Sequence, residues 1–372
     1  MENKRRIPDG VAVTAGLLLL LLCGLAAIFA GGGEYDEVER RYLADRPGEL
    51  NLADWKTDRE TEAFLKDHTP ARHALVALDS CGLFLTGRNS QLGAWVVSGA
   101  VVEPPVRADA RALESKLRRF SKLAEEAGVP WWLVTPESHG FLLRKQMNSL
   151  LAGVYAQEAE SYAYLAAQPQ NVTLPAAFSE NPEEMYYRTD HHWTLRGAYQ
   201  AYLALAEPLG YEPLALDDFR LTQYEGFHGT TLSRSGLPGL WQDTLLCAEP
   251  TSSVQLICED RDGKTTADRL IFPEAADGED GYAVYLNGNH GVAILERPDA
   301  PEGTLIVFRD SMASCLLPLL SQHFRRVIAV DARYDTGTFS EALARSEDTK
   351  AVLFLYSLES LVNDTEITRK AR

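Results

Sequence analysis

Near the C-terminus, short runs of β-prone apolar residues alternate with helix-like stretches. Leu305–Phe308 leads into a mostly apolar, helix-capable run from Met312 to Leu320; Val327–Val330, a polar helix around 341–345 and Ala351–Tyr356 follow. Strand–helix–strand grammar of this kind reads as an α/β domain, a parallel sheet covered by helices. The same grammar occurs upstream, where Leu113, Leu117, Phe120 and Leu123 recur at the spacing of one helix face. Gly128 and Pro130 stop that pattern, and the apolar run Trp131–Val134 follows. A chain of 372 residues, 45% of them hydrophobic, has material for two average domains or one large α/β domain. From Leu214 to Pro301 the texture turns to Gly, Asp, Ser and Thr with short β-prone pieces such as Tyr282–Leu286, so a β-rich insertion at about 214–300 is expected there, not an independent domain. No internal repeat or low-complexity block is seen.

The N-terminal stretch Val11–Ala30 contains no charged residue and has the length a helix needs to cross hydrocarbon. Lys4, Arg5 and Arg6 precede it and Glu34, Asp36 and Glu37 follow. This asymmetry predicts a single transmembrane helix with a cytoplasmic N-terminus and the bulk of the chain extracytoplasmic, at the cell membrane. A cleaved signal peptide fits less well, because Ile28-Phe29-Ala30 is a poor cleavage site. A lipoprotein at Cys23 is disfavoured by the bulky Leu22 before it, and a buried core helix by Gly31-Gly32-Gly33 behind it. The expected organisation is a cytoplasmic tip and anchor at 1–33, a juxtamembrane helical approach at 34–79 and the main domain at 80–372.

The balance of 36 basic against 53 acidic residues, net −17, repels phosphate backbones and argues against nucleic-acid binding. The five cysteines, Cys23, Cys81, Cys247, Cys258 and Cys315, include no CxxC and no cluster at zinc spacing, so no structural metal is expected. Outside the membrane Cys247 and Cys258 are near enough in sequence to close a short loop, although spacing alone leaves the pairing open. Cys315 reads as a small buried apolar residue.

Chemistry-bearing residues concentrate in two segments, Tyr186–Thr194 and Phe308–Ser314. In the second, a β-prone run enters Arg309-Asp310-Ser311 and then an apolar helix pattern. Ser311 is thereby placed on a strand-to-helix turn at the carboxyl edge of the sheet, where a nucleophile is exposed and backbone N–H groups can hold an oxyanion. The plainer reading is a helix cap at Asp310 or Ser311. In the first segment, Asp190 and His192 stand two residues apart before the helix pattern Leu195–Ala206, so Asp190 could orient His192 as a general base. Here the plainer readings are Thr194 or Asp190 as an N-cap and His192 as a satisfied buried histidine. A metal at Asp190, His191 and His192 is disfavoured, because adjacent histidines seldom converge on one ion. Leu78-Asp79-Ser80 is a decoy, since Cys81-Gly82 follows it instead of an apolar helix. Glu137-Ser138-His139-Gly140 follows a strand and reads as a loop on the rim of the site.

Together these blocks resemble the DHHW protein family, related to the SGNH-hydrolase-like alginate O-acetyltransferases AlgJ and AlgX. The resemblance is carried by Tyr187-Arg188-Thr189-Asp190-His191-His192-Trp193-Thr194 with Gly197-Ala198-Tyr199, by Phe227-His228-Gly229-Thr230 and by Leu286-Asn287-Gly288-Asn289-His290. Arg309-Asp310-Ser311 with Pro318-Leu319-Leu320, and Asp331-Ala332-Arg333-Tyr334, complete it in family order. It implies an SGNH-hydrolase-like fold and a triad of Ser311 as nucleophile, His192 as general base and Asp190 as its orienter. It also implies oxyanion or substrate contacts from the Ser311 N–H, Gly288, Asn289, Arg188 and Tyr187, and no cofactor or metal. His191 sits at the variable position of D-x-H-W and receives no catalytic role. Arg309 stands where the simple pattern has glycine, and Met312 where phenylalanine is usual. The implied activity is O-acyl transfer, most simply O-acetyl transfer, to a cell-surface polysaccharide through an acyl-serine, with a membrane-bound O-acyltransferase as partner. A carbohydrate esterase or deacetylase, or a non-catalytic polysaccharide-binding scaffold using aromatics such as Tyr186, Tyr187 and Trp193, are the alternatives.

Overall fold

A computed structural model describes residues 9–29, 34–36, 41–47, 55–90, 93–108, 110–237, 239, 241–300, 303–335 and 337–371. By contacts the chain divides into two units, Met1–Leu92 with Ser233–Pro238, and Gly93–Leu232 with Gly239–Arg372. The division falls after residue 92, where the sequence placed it at 79.

The first unit carries helices α1 (Asp9–Phe29), α2 (Trp55–His68) and α3 (Arg72–Leu85). The leucines at 17, 18, 19, 21 and 22 of α1 are exposed. The side chains at 12, 15, 20 and 27–29 lie outside the described residues, and among the described residues no helix is long and apolar enough to cross a membrane. The span expected at 11–30 is therefore not an observed element. The decoy Asp79-Ser80 falls inside α3, where a helical backbone cannot present a serine on a strand-to-helix turn.

The second unit is built on a seven-stranded sheet. Its strands in chain order are β1 (Trp131–Val134), β2 (Gln255–Asp260), β3 (Gly263–Ala267), β4 (Val292–Glu296), β5 (Thr304–Arg309), β6 (Arg326–Val330) and β7 (Thr349–Leu355). In space the order is β1-β7-β5-β6-β4-β2-β3. The pairs β1/β7, β7/β5 and β5/β6 are parallel, whereas β6/β4, β4/β2 and β2/β3 are antiparallel. The sheet is thus mixed, not all parallel. The stretch expected as an insertion supplies β2, β3 and β4 to one edge, because its apolar positions, among them Leu256, Cys258, Ala293 and Leu295, are buried in the main core. Tyr282–Leu286 is not a strand: Gly281–Val284 forms a tight helical turn, and Tyr285 bridges Ile271.

Strand β5 explains why the parallel half holds together. Leu305 and Val307 enter one core and Ile306 and Phe308 the other, the period-two alternation of a strand covered on both faces. On the second face α4 (Ala110–Ala127) lays down Leu113, Leu117, Phe120 and Leu123, as their spacing predicts. Phe120 stacks on Phe354 of β7 at 3.9 Å between ring centroids. Gly128 ends α4 with φ +67°, a left-handed conformation that glycine adopts without strain. Cys247 and Cys258 are both buried and both free thiols; Cys247 lies in the Asp243–Glu249 strand, which pairs with Arg220–Phe227, and Cys258 lies in β2. The loop-closing bridge between them is not formed.

Candidate active site

Asp310 turns the end of β5 into the site. Its Oδ1 accepts the Met312 N–H at 2.9 Å, which caps the short turn Ser311–Ala313. Its Oδ2 accepts the backbone N–H and the hydroxyl of Ser357, each at 2.8 Å, just beyond the neighbouring β7. The cap expected at this junction is therefore present, and it orients Ser311 instead of excluding a chemical role for it. Burial pushes the Asp310 carboxyl up, but the Arg333 charge and the Ser357 bonds outweigh burial and hold it below the ordinary range.

Asp190 and His192 arrive on a tight loop. Tyr186 and Trp193 form an antiparallel bridge across it, the Thr194 N–H donates to the Met185 carbonyl at 2.8 Å, and Thr194 caps the following helix α5 (Leu195–Leu209). Thr189 is clamped from outside: its N–H and hydroxyl both donate to Asp243 Oδ2 at 2.7 Å, and its hydroxyl accepts the Gly229 N–H at 3.0 Å. Gly229 must be glycine at this approach, since a Cβ there would lie 2.4 Å from Asp190 Cβ. The Phe227–Thr230 block thereby acquires its physical purpose, close packing against the acid.

The two segments meet. His192 Nε2 lies 2.8 Å from Ser311 Oγ, and His192 Nδ1 lies 3.2 Å from Asp190 Oδ1. His192 is nearly fully buried, Asp190 is fully buried and Ser311 is half-buried. The Asp190–His192 contact is at ion-pair distance without hydrogen-bond alignment: Asp190 Oδ1 accepts the His191 backbone N–H at 2.6 Å, while His192 Nδ1 and Asp190 Oδ2 have no hydrogen-bond partner among the described residues. Such looseness is common before substrate binds.

Two contacts were not legible beforehand. His191 Nδ1 approaches the same Asp190 Oδ1 at 2.9 Å and Glu103 Oε1 at 3.5 Å, and its ring lies 4.0 Å from that of His192. Burial opposes charge on His191, but Glu103 and Asp190 overcome it and raise its pKa to about 9. His192 shifts the other way, lowered first by burial and then by the His191 charge. Burial would raise the Asp190 carboxyl, yet the two histidines hold it well below the usual range. The second contact is Tyr282, which stacks on the His192 ring at 3.7 Å and 7°. Nothing in its sequence neighbourhood marks it, because only the fold carries it to the base.

The other expected site residues separate. Asn287 and Gly288 have φ of +62° and +103°, a turn that presents the Asn287–His290 loop. Arg309 Nη1 reaches Asn289 Oδ1 at 3.4 Å and Ser314 Oγ at 3.2 Å, tying that loop to the end of β5. Arg309 is fully buried and Asp331 Oδ2 stands 4.0 Å from it, so it acts as an internal strut where a glycine is usual. Tyr187 is buried against Phe227, at 5.2 Å between rings, and Tyr186 and Trp193 are buried too, so these aromatics pack the core. Arg188 turns to Asp243 at 3.3 Å and the Gln242 carbonyl at 2.6 Å, and Arg333 grips Asp331 with two bonds. One ligating atom from each of Asp190, His191 and His192 falls within 4.8 Å of the others. The carboxylate oxygen is already shared by both imidazoles, and His192 Nε2 faces Ser311, so the arrangement suits proton transfer better than a metal.

Comparisons with known proteins agree with this architecture. The model of the family described as DHHW protein matches residues 175–330, which hold Asp190, His192 and Ser311, and so bears out the resemblance read from the motifs. A DHHW family protein from Eubacterium siraeum has a solved structure of TM-score 0.62 at 19% identity, over 76% of this chain and 96% of that one. Bacillus cereus PatB1, solved with a sulfonyl adduct, has TM-score 0.61 at 21% identity, over 74% of this chain and 98% of that one. At these identities the likeness shows the fold, a mixed α/β arrangement with a central sheet flanked by helices. The O-acetyltransferase domain of Pseudomonas putida AlgJ is a looser match, TM-score 0.44 at 15% identity over 75% of this chain and 98% of that one. No curated protein matches the chain.

Proposed function

We propose that the chain is a serine-dependent O-acyltransferase, acting most simply as an O-acetyltransferase on a cell-surface polysaccharide. The observation that carries the reading is the 2.8 Å approach of His192 Nε2 to Ser311 Oγ, with Asp190 behind the imidazole. Ser311 Oγ attacks the donor carbonyl as its proton passes to His192 Nε2. The C–O bond to the donor breaks, and the departing oxygen takes that proton, leaving an acyl-serine. A sugar hydroxyl then gives its proton to His192 and attacks the acyl carbon, and Ser311 Oγ leaves and recovers the proton. The Ser311 N–H, Gly288 and Asn289 are the donors proposed for the oxyanion; Asn289 keeps its side-chain oxygen on Arg309, which leaves its amide N–H groups to turn elsewhere. The sulfonyl adduct of PatB1 is consistent with the reading, because sulfonylation is a reaction of a nucleophilic side chain.

The N-terminal helix, with basic residues before it and acidic ones after, supports a proposal of anchoring at the cell membrane with the triad outside. A membrane-bound O-acyltransferase is the proposed partner that would relay acyl groups outward. The test is intact-mass detection of an acyl-enzyme after the full chain meets an activated acetyl ester. The expected result is an adduct on Ser311, absent in Ser311→Ala and formed about 10²–10⁴-fold more slowly in His192→Ala. A folded chain that neither forms the adduct nor hydrolyses the ester overturns the reading in favour of a non-catalytic scaffold. Adduct lost to water at the same rate with and without oligosaccharide makes it an esterase.

A further inference from the structure

The acid behind His192 does not by itself account for how the base is aimed. His192 Nδ1 stands 3.2 Å from Asp190 Oδ1 without hydrogen-bond alignment, and that oxygen already accepts the His191 N–H. The torsion that swings an imidazole about its Cβ–Cγ bond has broad wells, so neighbouring groups must fix the plane of the ring. Here both faces are covered. Tyr282 lies on one at 3.7 Å between centroids and 7° between planes. A ring so close and so parallel fills that face, and the His191 ring, at 4.0 Å and 35°, must take the other. Swinging the His192 plane away from Ser311 would drive its edge into the phenol ring, which close packing forbids.

Tyr282 is itself firmly placed. It is 5% exposed and sits in the Gly281–Val284 turn, whose Val284 carbonyl accepts the Phe272 N–H at 2.8 Å. Gly281 approaches Phe227 so closely that a Cβ there would lie 2.9 Å from the phenylalanine ring. Tyr285 follows, its ring 5.1 Å from that of Tyr282 and its hydroxyl donating to the Leu246 carbonyl at 3.1 Å. The Tyr282 hydroxyl, in contrast, has no hydrogen-bond partner among the described residues. What the base meets is therefore the ring of this residue and not its polar end.

We propose that Tyr282 is a positioning residue for the general base: its ring fixes the plane of the His192 imidazole and keeps Nε2 on Ser311 Oγ. Orienting the imidazole is a task that a triad ordinarily leaves to its carboxylate. For its effect on rate the proposal rests on the acyl-transfer reading. A base that swings loses reach to the serine proton, and a misplacement of about 1 Å can cost about 10²-fold in rate.

The experiment uses the full chain with Tyr282→Leu, Tyr282→Phe and Tyr285→Leu, the last removing an equally buried ring of the same segment that does not stack on His192. Acylation by an activated acetyl ester is followed against ester concentration, and the histidine ring protons are followed separately by NMR of histidine-labelled protein. Tyr282→Leu is expected to lower the saturating acylation rate roughly 10–100-fold with half-saturation unchanged, while Tyr282→Phe and Tyr285→Leu keep close to the wild-type rate. In the spectra, the His192 ring protons, assigned by their loss in His192→Ala, are expected upfield from the ring current of Tyr282, to stay there in Tyr282→Phe and to move downfield in Tyr282→Leu. Wild-type acylation in Tyr282→Leu, a Tyr282→Phe variant as slow as Tyr282→Leu, or equal slowing in Tyr285→Leu overturns the proposal. If Tyr282→Leu does not fold, Tyr282→Met, which fills the space without a flat face, takes its place. A chain that forms no acyl-enzyme overturns the catalytic reading, and the spectra then decide the brace alone: upfield His192 signals that depend on the ring at 282 sustain it, and signals that do not overturn it.

Discussion

The adjacent histidines carry opposite duties. His192 faces Ser311, whereas His191 is held against Asp190 and Glu103 and carries positive charge at neutral pH, its pKa raised to about 9. A cation 4.0 Å from the base disfavours a second proton there, so His191 helps keep His192 unprotonated. Only unprotonated His192 accepts a proton from Ser311, and the acid limb of the rate profile follows the pKa of the base in the free enzyme. Replacing His191 by Gln removes the repelling charge, raises the His192 pKa and moves the acid limb of kcat/KM for ester hydrolysis to higher pH. A limb that stays in place or moves lower would show that His191 is electrostatically idle. Position 191 looked dispensable in the motif because spacing along a loop does not tell which imidazole turns toward the serine.

Strand β5 and helix α4 show how the site is braced by elements that take no part in chemistry. Phe308 stacks on Phe354 at 5.2 Å, and Phe354 on Phe120 at 3.9 Å, so one aromatic column runs from the strand before Ser311, through β7, to α4. Phe120→Ala opens a fully buried cavity in this column and is expected to cost about 3–5 kcal/mol of unfolding free energy, read from the urea midpoint. A loss below about 1 kcal/mol would mean that the core collapses freely around the gap. Lys116 adds a second brace by donating to the carbonyls of Val362 and Asp364 at the end of the Leu358–Asn363 helix, at 3.3 and 2.9 Å. The helix face of α4 and the apolar run of β5 were both legible in their periodicity. That β2, β3 and β4 join the same sheet was not, because their polar texture resembles a surface excursion until strand pairing is seen.

Charge acts across the molecule as a whole. With a net −17, the chain repels anions beyond the reach of any single pocket. The kcat/KM for an anionic activated ester should rise several-fold as salt goes from about 0.02 to 0.3 M, with a neutral ester nearly unaffected, because screening shortens the Debye length. Equal salt response for both esters would remove the field as a cause. The periodicities, the strand-to-helix junction at Ser311 and the D-x-H-W block specified the α/β class and the candidate triad, because local spacing and short motifs encode local geometry. The mixed half of the sheet, the free state of Cys247 and Cys258 and the stacking of Tyr282 on His192 came only with the tertiary structure. Each depends on residues tens of positions apart being brought together by strand order and core packing, and no local pattern in the chain records that pairing.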